Sequence, residues 1–413
     1  MLASIFKFFT SLKLTVVCLC MSLVVVFFGT MAQDPLGLYI AQERFFHSFF
    51  IDWASLKAAI EKTLQMVDVY VAAPTTGADV LAAPRIPVFP GGYLLGSILL
   101  INLIVTHYSR FKFSWPKAGI FLTHIGIVLL LVGQLFTDVF SSESSMRLSV
   151  GESRNYAEDF RKNELVLIDG SSAEHDVTTS IPQSRLRKGA VIEHASLPFK
   201  LRVLEYWGNA DFTGESKPGY TKVDADKGFG PKIFVKGLPP VTAMDGRDMP
   251  GIVLEAFTDS GSLGRWFSAV GFSPRQVIEA GGKEYQVALR IKRYYTPYSL
   301  TLVEARHDKY KGTEIPRNFS SVVRVKNSES GEDREVKIFM NNPLRYQGKT
   351  YYQYQMAADE MMLRQGERPT STFQVVENPS WLAPYLACVI VGLGLLYQFG
   401  LHLKKFFVRK AKA

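Results

Sequence analysis

Seven histidines and three cysteines hold most of the ligand and nucleophile chemistry in this 413-residue chain, and one of them, His124, stands where a titratable side chain is costly. It lies within residues 118–137, AGIFLTHIGIVLLLVGQLFT, which contain no Asp, Glu, Lys or Arg. A run of about 20 apolar residues crosses a bilayer core, and a charged group at its centre costs about 2.5–3.5 kcal/mol on insertion scales. The imidazole is therefore expected to be neutral and partnered, either by a hydrogen bond or by a metal ion. Gly119, Gly126 and Gly133 recur every seven residues along the same run, a small-residue seam that lets another helix approach closely. At about 100° per residue, His124 stands about 200° round the helix from Gly126. The seam is expected to pack within the chain's own bundle while His124, with Ile120, Ile127, Val128 and Leu131 around it, faces something else.

The other histidines read as structural. His107 and His402 close apolar runs beside Arg110 and Lys404, where an imidazole is hydrated at little cost, and His47 sits as a polar residue in an aromatic, charged stretch. His175, His194 and His307 are scattered, without HxxxH spacing or a nearby cysteine. Cys18, Cys20 and Cys388 all fall in apolar runs as small packing residues. The chain has no CxxC, which argues against a thiol-disulfide oxidoreductase. GxSxG, HExxH and Walker strings are absent, as is GxGxxG in a strand-helix context, so catalysis housed wholly in the polar region is not expected.

The elements that must position His124 follow from hydropathy. Four segments lack charge for about the length of a span: 14–33, 86–106, 118–137 and 381–403. The net charge of +9 is not a nucleic-acid footprint, because its excess lies beside these segments. Lys7 and Lys13, then Arg110, Lys112 and Lys117, then Lys404, Lys405, Arg409, Lys410 and Lys412 stand in stretches without acids, whereas residues 138–380 are almost balanced. This is the positive-inside pattern, and it places both termini and the 107–117 loop in the cytoplasm. The large domain is then exported from an inner (cytoplasmic) membrane. A cleavable signal is the rival reading of the first segment. Its apolar run outlasts the usual h-region of about 7–15 residues, and no small-x-small site follows.

The expected organisation is an N-terminal membrane domain (1–137), an exported domain (138–380) and a C-terminal span with a basic tail (381–413). Phe45, Phe46, Phe49, Phe50 and Trp53 repeat near helical spacing, which suggests an interfacial helix over about 42–67. A Pro- and Ala-rich linker over 72–90 follows. Beyond Phe140 the pattern turns to period two, with strands expected at 146–150, 164–168, 199–206, 232–236, 252–257, 285–295, 298–305, 321–326, 335–340 and 350–356. NSESGED (327–333) reads as a hairpin loop. The fold class is thus four transmembrane α-helices with an all-β, antiparallel sandwich or barrel-like domain. The domain has no cysteine, hence no disulfide framework.

Several strings resemble the ResB family of cytochrome c biogenesis proteins: SLKLTVVCLC and GTMAQ at the first span, THIGIVLLLVG at the third, TPYSLTLVEARHDKYKGTEIPRNFSSVVRV and NNPLRYQGKTYYQYQ in the domain, and ENPSW before the last span. The resemblance covers nearly the whole chain, with residues 341–355 its most specific part. It implies a System II subunit that works with a ResC/CcsA-type membrane protein to move haem b across the membrane and attach it to CxxCH apocytochromes. By position His124 would be an axial ligand of the haem iron. One imidazole fills one axial position, so the other is expected from a second chain. The tryptophan-rich haem-presenting motif of that partner is absent here, so holocytochrome c synthesis is not expected of this chain alone and no catalytic residue is assigned. A packed or hydrogen-bonded histidine remains the alternative for His124, and Cys18 or Cys20 is an alternative ligand. A non-catalytic envelope assembly scaffold that binds no cofactor is the alternative function. Expected partners are membrane lipid, the ResC/CcsA protein and apocytochrome, with no nucleic acid. In the domain, Tyr351, Tyr352, Gln353 and Tyr354 are either a docking platform or cross-strand packing.

Overall fold

The computed structural model describes residues 2–110, 114–172, 175–243, 246–313, 316–357, 366 and 368–411. Lys112 of the basic loop, Lys412 of the tail, and Glu314 and Ile315 within the quoted domain string lie outside them. The chain forms two compact units: Met1–Ser141 with Thr242–Asp245 and Asn378–Ala413, and Ser142–Val241 with Gly246–Glu377.

The first unit is helical. Its main elements are α1 (Leu12–Met31), α2 (Trp53–Met66), α3 (Gly92–Arg110), α4 (Ala118–Phe140) and α5 (Ala383–Lys410). Among the described residues, four helices are long and apolar enough to cross a membrane, and they are α1, α3, α4 and α5. The glycine seam of α4 packs on α5, as expected. A Cβ on Gly119 would lie 2.5 Å from the Gly394 carbonyl oxygen, one on Gly126 2.4 Å from Val391 Cγ2, and one on Gly133 2.7 Å from Ala383 Cβ. At one end of this pair Thr137 Oγ1 lies 3.2 Å from Ser380 Oγ, and at the other Tyr397 donates its hydroxyl to the Trp115 carbonyl at 3.0 Å. Between α1 and α3, buried Asn102 accepts from Thr15 Oγ1 at 2.6 Å and donates to the Phe9 carbonyl at 2.7 Å, so this intramembrane-type amide is satisfied by its own chain.

The stretch expected as one helix over 42–67 is broken. A single π turn, Gln42–Phe46, ends at His47, a short strand Phe50–Asp52 pairs with Pro87–Pro90, and only then does α2 begin. Asp52 explains the break. Its carboxylate accepts from the Ser55 backbone N–H at 3.0 Å as an N-cap, and it is also held by Arg44 Nη1 at 3.0 Å with both side chains 6% exposed. The aromatic repeat divides accordingly: Phe45 is fully buried, while Phe49, Phe50 and Trp53 are exposed. The expected linker is structured too. It holds a helical turn, Gly77–Ala82, opened by a Thr76–Asp79 capping box, and the strand that pairs with Phe50–Asp52. That strand uses Pro87, so the second long apolar helix starts at Gly92 rather than near 86.

The second unit is an antiparallel β structure whose main sheet is nearly closed and barrel-like. Its strands are β1 (Ser142–Ser149), β2 (Ser153–Asp169), β3 (Lys283–Lys309), β4 (Pro316–Asn327), β5 (Glu332–Phe339), β6 (Leu344–Tyr346), β7 (Lys349–Ala357) and β8 (Thr370–Glu377), in the order β5-β4-β3-β2-β1-β8-β7-β6. Two expected strands, 285–295 and 298–305, fuse into β3, whose pairing with β2 shifts register between Tyr295 and Leu300. Either side of that shift, β3 serves a different core. Val287 and Leu289 pack with Leu165, Leu201 and Ile252, whereas Leu300 and Leu302 pack with Met146, Val323 and Tyr351. A second, four-stranded sheet is centred on Gly251–Thr258.

Two outcomes check this packing. Gly119→Leu forces a side chain into the α5 backbone, so thermal unfolding in detergent should show a loss of at least about 1–3 kcal/mol. Arg44→Ala strands the Asp52 carboxylate, and the same measurement should register a cost of about 3–5 kcal/mol.

Candidate functional site

His124 lies on the face of α4 opposite the seam, and its Nδ1 is 2.7 Å from the carbonyl oxygen of Ile120, one helical turn earlier. A carbonyl oxygen only accepts, so Nδ1 carries the proton and Nε2 keeps the lone pair. Such second-partner bonding fixes the tautomer and ring orientation of metal-bound histidines. Residues on this face are apolar, and the ring is only partly buried. An imidazole with one nitrogen committed to the backbone and the other left as a lone-pair donor is able to bind a metal ion.

The structure also brings His107 to this face. Expected as a boundary residue, it is instead half-buried and stacks on His124, with ring centroids 5.3 Å apart and planes at 28°, and lies tilted against Phe121 at 5.0 Å. The face of His124 is thus partly covered by its own chain. A metal bound through a ring nitrogen lies in the plane of that ring, so two stacked rings do not share one ion between them. As they stand, His107 is a wall beside His124, and the two rings do not converge on one ion. The signal for this neighbour was in the sequence, since a short connection between two antiparallel helices places the end of one beside the start of the next.

His47 lies 3.1 Å through Nδ1 from Glu43 Oε1 and stacks on Tyr93 of α3, centroids 5.8 Å apart and planes at 11°. His402 contacts Gln398 at 3.1 Å, His194 contacts Ser196 at 2.7 Å, His307 stacks on Phe319 at 4.5 Å, and His175 is exposed. Among the described residues, no group of three or more His, Cys, Asp or Glu side chains is placed to hold a metal ion. Cys18 is buried in α1, Cys20 and Cys388 are exposed, and all three are free thiols.

The tyrosine segment of β7 resolves largely into core. Tyr351 is fully buried, its hydroxyl 2.8 Å from that of Tyr298, and Gln353 bonds Ser321 and Ser371 at 2.8 Å each. Tyr354 is exposed, with its ring edge-on to Phe160. No family model matches the chain, and comparison with curated proteins finds no similar sequence.

The tautomer is directly measurable. Nitrogen-15 NMR of histidine-labelled protein at neutral pH should show His124 protonated at Nδ1 and bare at Nε2, whereas an Nε2–H resonance would remove the geometric basis of the site.

Proposed function

We propose that this chain is a ResB-type subunit of a cytochrome c haem-attachment complex in the inner membrane, which delivers haem to exported apocytochromes with a ResC/CcsA-type partner. The observation that carries the reading is His124: an imidazole inside the uncharged 118–137 stretch of α4, its Nδ1 proton committed to the Ile120 carbonyl and its Nε2 left as a donor. In this reading both termini face the cytoplasm and the β unit faces the periplasm, which accords with Lys7, Lys13 and the Lys404–Lys410 group flanking the helices.

Haem is cargo here, and His124 would hold its iron through Nε2. Four features of the chain act on it. The Gly119, Gly126 and Gly133 contacts with α5 hold His124 away from that neighbour. The Ile120 carbonyl keeps Nε2 available, and the apolar face of α4 excludes water that would compete for the iron. His107, stacked on His124, limits the ring's freedom on one side. The second axial ligand then comes from the partner, as does the machinery for thioether attachment.

The test is the haem spectrum of the complex purified with its partner. His124→Ala should abolish the axial-imidazole signature and most of the bound haem, while His107→Ala retains haem with an altered spectrum. A complex that is colourless as isolated, or haem content and ligation unchanged by His124→Ala, would overturn the proposal.

A further inference from the structure

Between α3 and α4, at the end of the pair where α3 begins and α4 finishes, lies a cleft of about 290 Å³. Its lining is graded along the two helices. Tyr93 and Asp138 stand at the mouth with His47, Ser97 and Gln134 about one turn deeper, and Leu100 and Leu131 deepest. Seven residues separate Tyr93 from Leu100 and Asp138 from Leu131, a rise of about 10 Å on each helix. The deep part is roomy as well as apolar. A Cβ on Gly96 would meet no atom within 4 Å, whereas one on Gly92, a turn earlier, would lie 2.4 Å from the Phe46 carbonyl oxygen. A glycine without a packing role in the protein leaves its backbone open to close approach by a ligand.

The charges at the mouth select a cation. Asp138 accepts from Gln134 Nε2 at 2.9 Å and makes no ion pair among the described residues. It stands two residues before the end of α4, where the helix dipole already favours positive charge. An acid at that end opposes the helix taken alone, and a bound cation offsets both. Glu43, 3.1 Å from His47 Nδ1, brings a second carboxylate to the mouth, and no Lys or Arg lines the cleft. A metal ion fits poorly, because among the described residues no three His, Cys, Asp or Glu side chains are placed to hold one. A small soluble amine would leave the apolar half empty. The hydroxyls of Tyr93 and Ser97 make no hydrogen bond among the described residues and are donors for an oxyanion that accompanies the cation.

We infer that this cleft holds one amine-bearing phospholipid, of the phosphatidylethanolamine type. Its ammonium pairs with Asp138, its phosphate accepts from Tyr93 and Ser97, and one acyl chain runs past Gly96 along Leu100 and Leu131. A ligand recognised by a few polar groups at one end and by apolar surface along the rest is what such a graded lining suits. The inference needs α3 and α4 to lie in a bilayer, and it does not depend on the haem reading of His124.

The test is native mass spectrometry of the full chain, delipidated in detergent and titrated with phosphatidylethanolamine or with phosphatidylglycerol of the same acyl chains. One phosphatidylethanolamine should be retained about tenfold more tightly than phosphatidylglycerol, the scale of a charge-assisted hydrogen bond. Asp138→Asn keeps an acceptor for Gln134 and removes the charge, so the two lipids should then bind equally. Gly96→Leu fills the acyl path without displacing protein atoms and should abolish retention, while His124→Ala should leave it unchanged. Glycerophosphoethanolamine, the same head without chains, should not compete. Equal retention of both lipids by wild type, an unselective boundary lipid only, would overturn the proposal. So would selectivity that survives Asp138→Asn, retention that survives Gly96→Leu, or displacement by glycerophosphoethanolamine, which would make the ligand a soluble amine. All of these outcomes leave the proposed function of His124 as it stands.

Discussion

Backbone contact between α4 and α5 is the constraint on which the helical unit depends. Gly119 and Gly394 face each other so closely that a Cβ on either would lie 2.5 or 2.7 Å from the other's carbonyl oxygen. In an apolar solvent there is no hydrophobic gain in bringing two helices together, and close van der Waals contact between small residues takes its place. This contact fixes more than a distance. It sets the rotation of α4 about its own axis, and that rotation turns His124 away from α5 and towards α3. The same contact ties the chain segment before the β unit to the segment after it, since the chain leaves α4 at Phe140 and α5 begins at Ala383.

Three polar side chains in the helical unit show how local hydrogen bonding separates structural from available groups. Asn102 spends its amide within the protein, on Thr15, Phe9 and Ser11, and so clamps the start of α1 to α3. His124 and His47 each commit one nitrogen, to a backbone carbonyl and to a carboxylate. The ring leaves a second nitrogen in both cases. The partners differ, a neutral carbonyl for His124 and a carboxylate for His47. Burial or hydropathy alone would not distinguish them.

How much of this was legible in the sequence depended on the range of the interaction. The glycine seam was readable because a seven-residue period on a helix is a local property, and the face opposite it followed by rotation. Strands such as ELVLI and IVLEAF were readable for the same reason. The strand SRNYAEDFRKN, the first part of β2, was not, because its charges look like loop until Arg293 of β3 is placed opposite Glu158. The break at residues 47–52 was hidden because helical spacing of aromatics does not reveal that Asp52 will cap one helix while binding Arg44 eight residues back. The pairing of His107 with His124 sits between these cases. It needed only the short connection between α3 and α4, but each histidine read singly had a bland explanation.

The two faces of α4 differ in how they are held. Towards α5 the helix is locked, backbone against backbone, and a shift there would collide with carbonyl oxygens. Towards α3 it meets the ring of His107, and a Cβ on Gly96 of α3 would meet no atom within 4 Å. Affinity differences between related complexes are set mainly by dissociation rates, and in the proposed function a cargo held by one ligand from this chain would leave faster than one clamped by two. Stacked imidazoles that do not share a metal would favour such partial hold. In the proposed function the rigid face would serve to aim His124, and the adaptable face to let the cargo go.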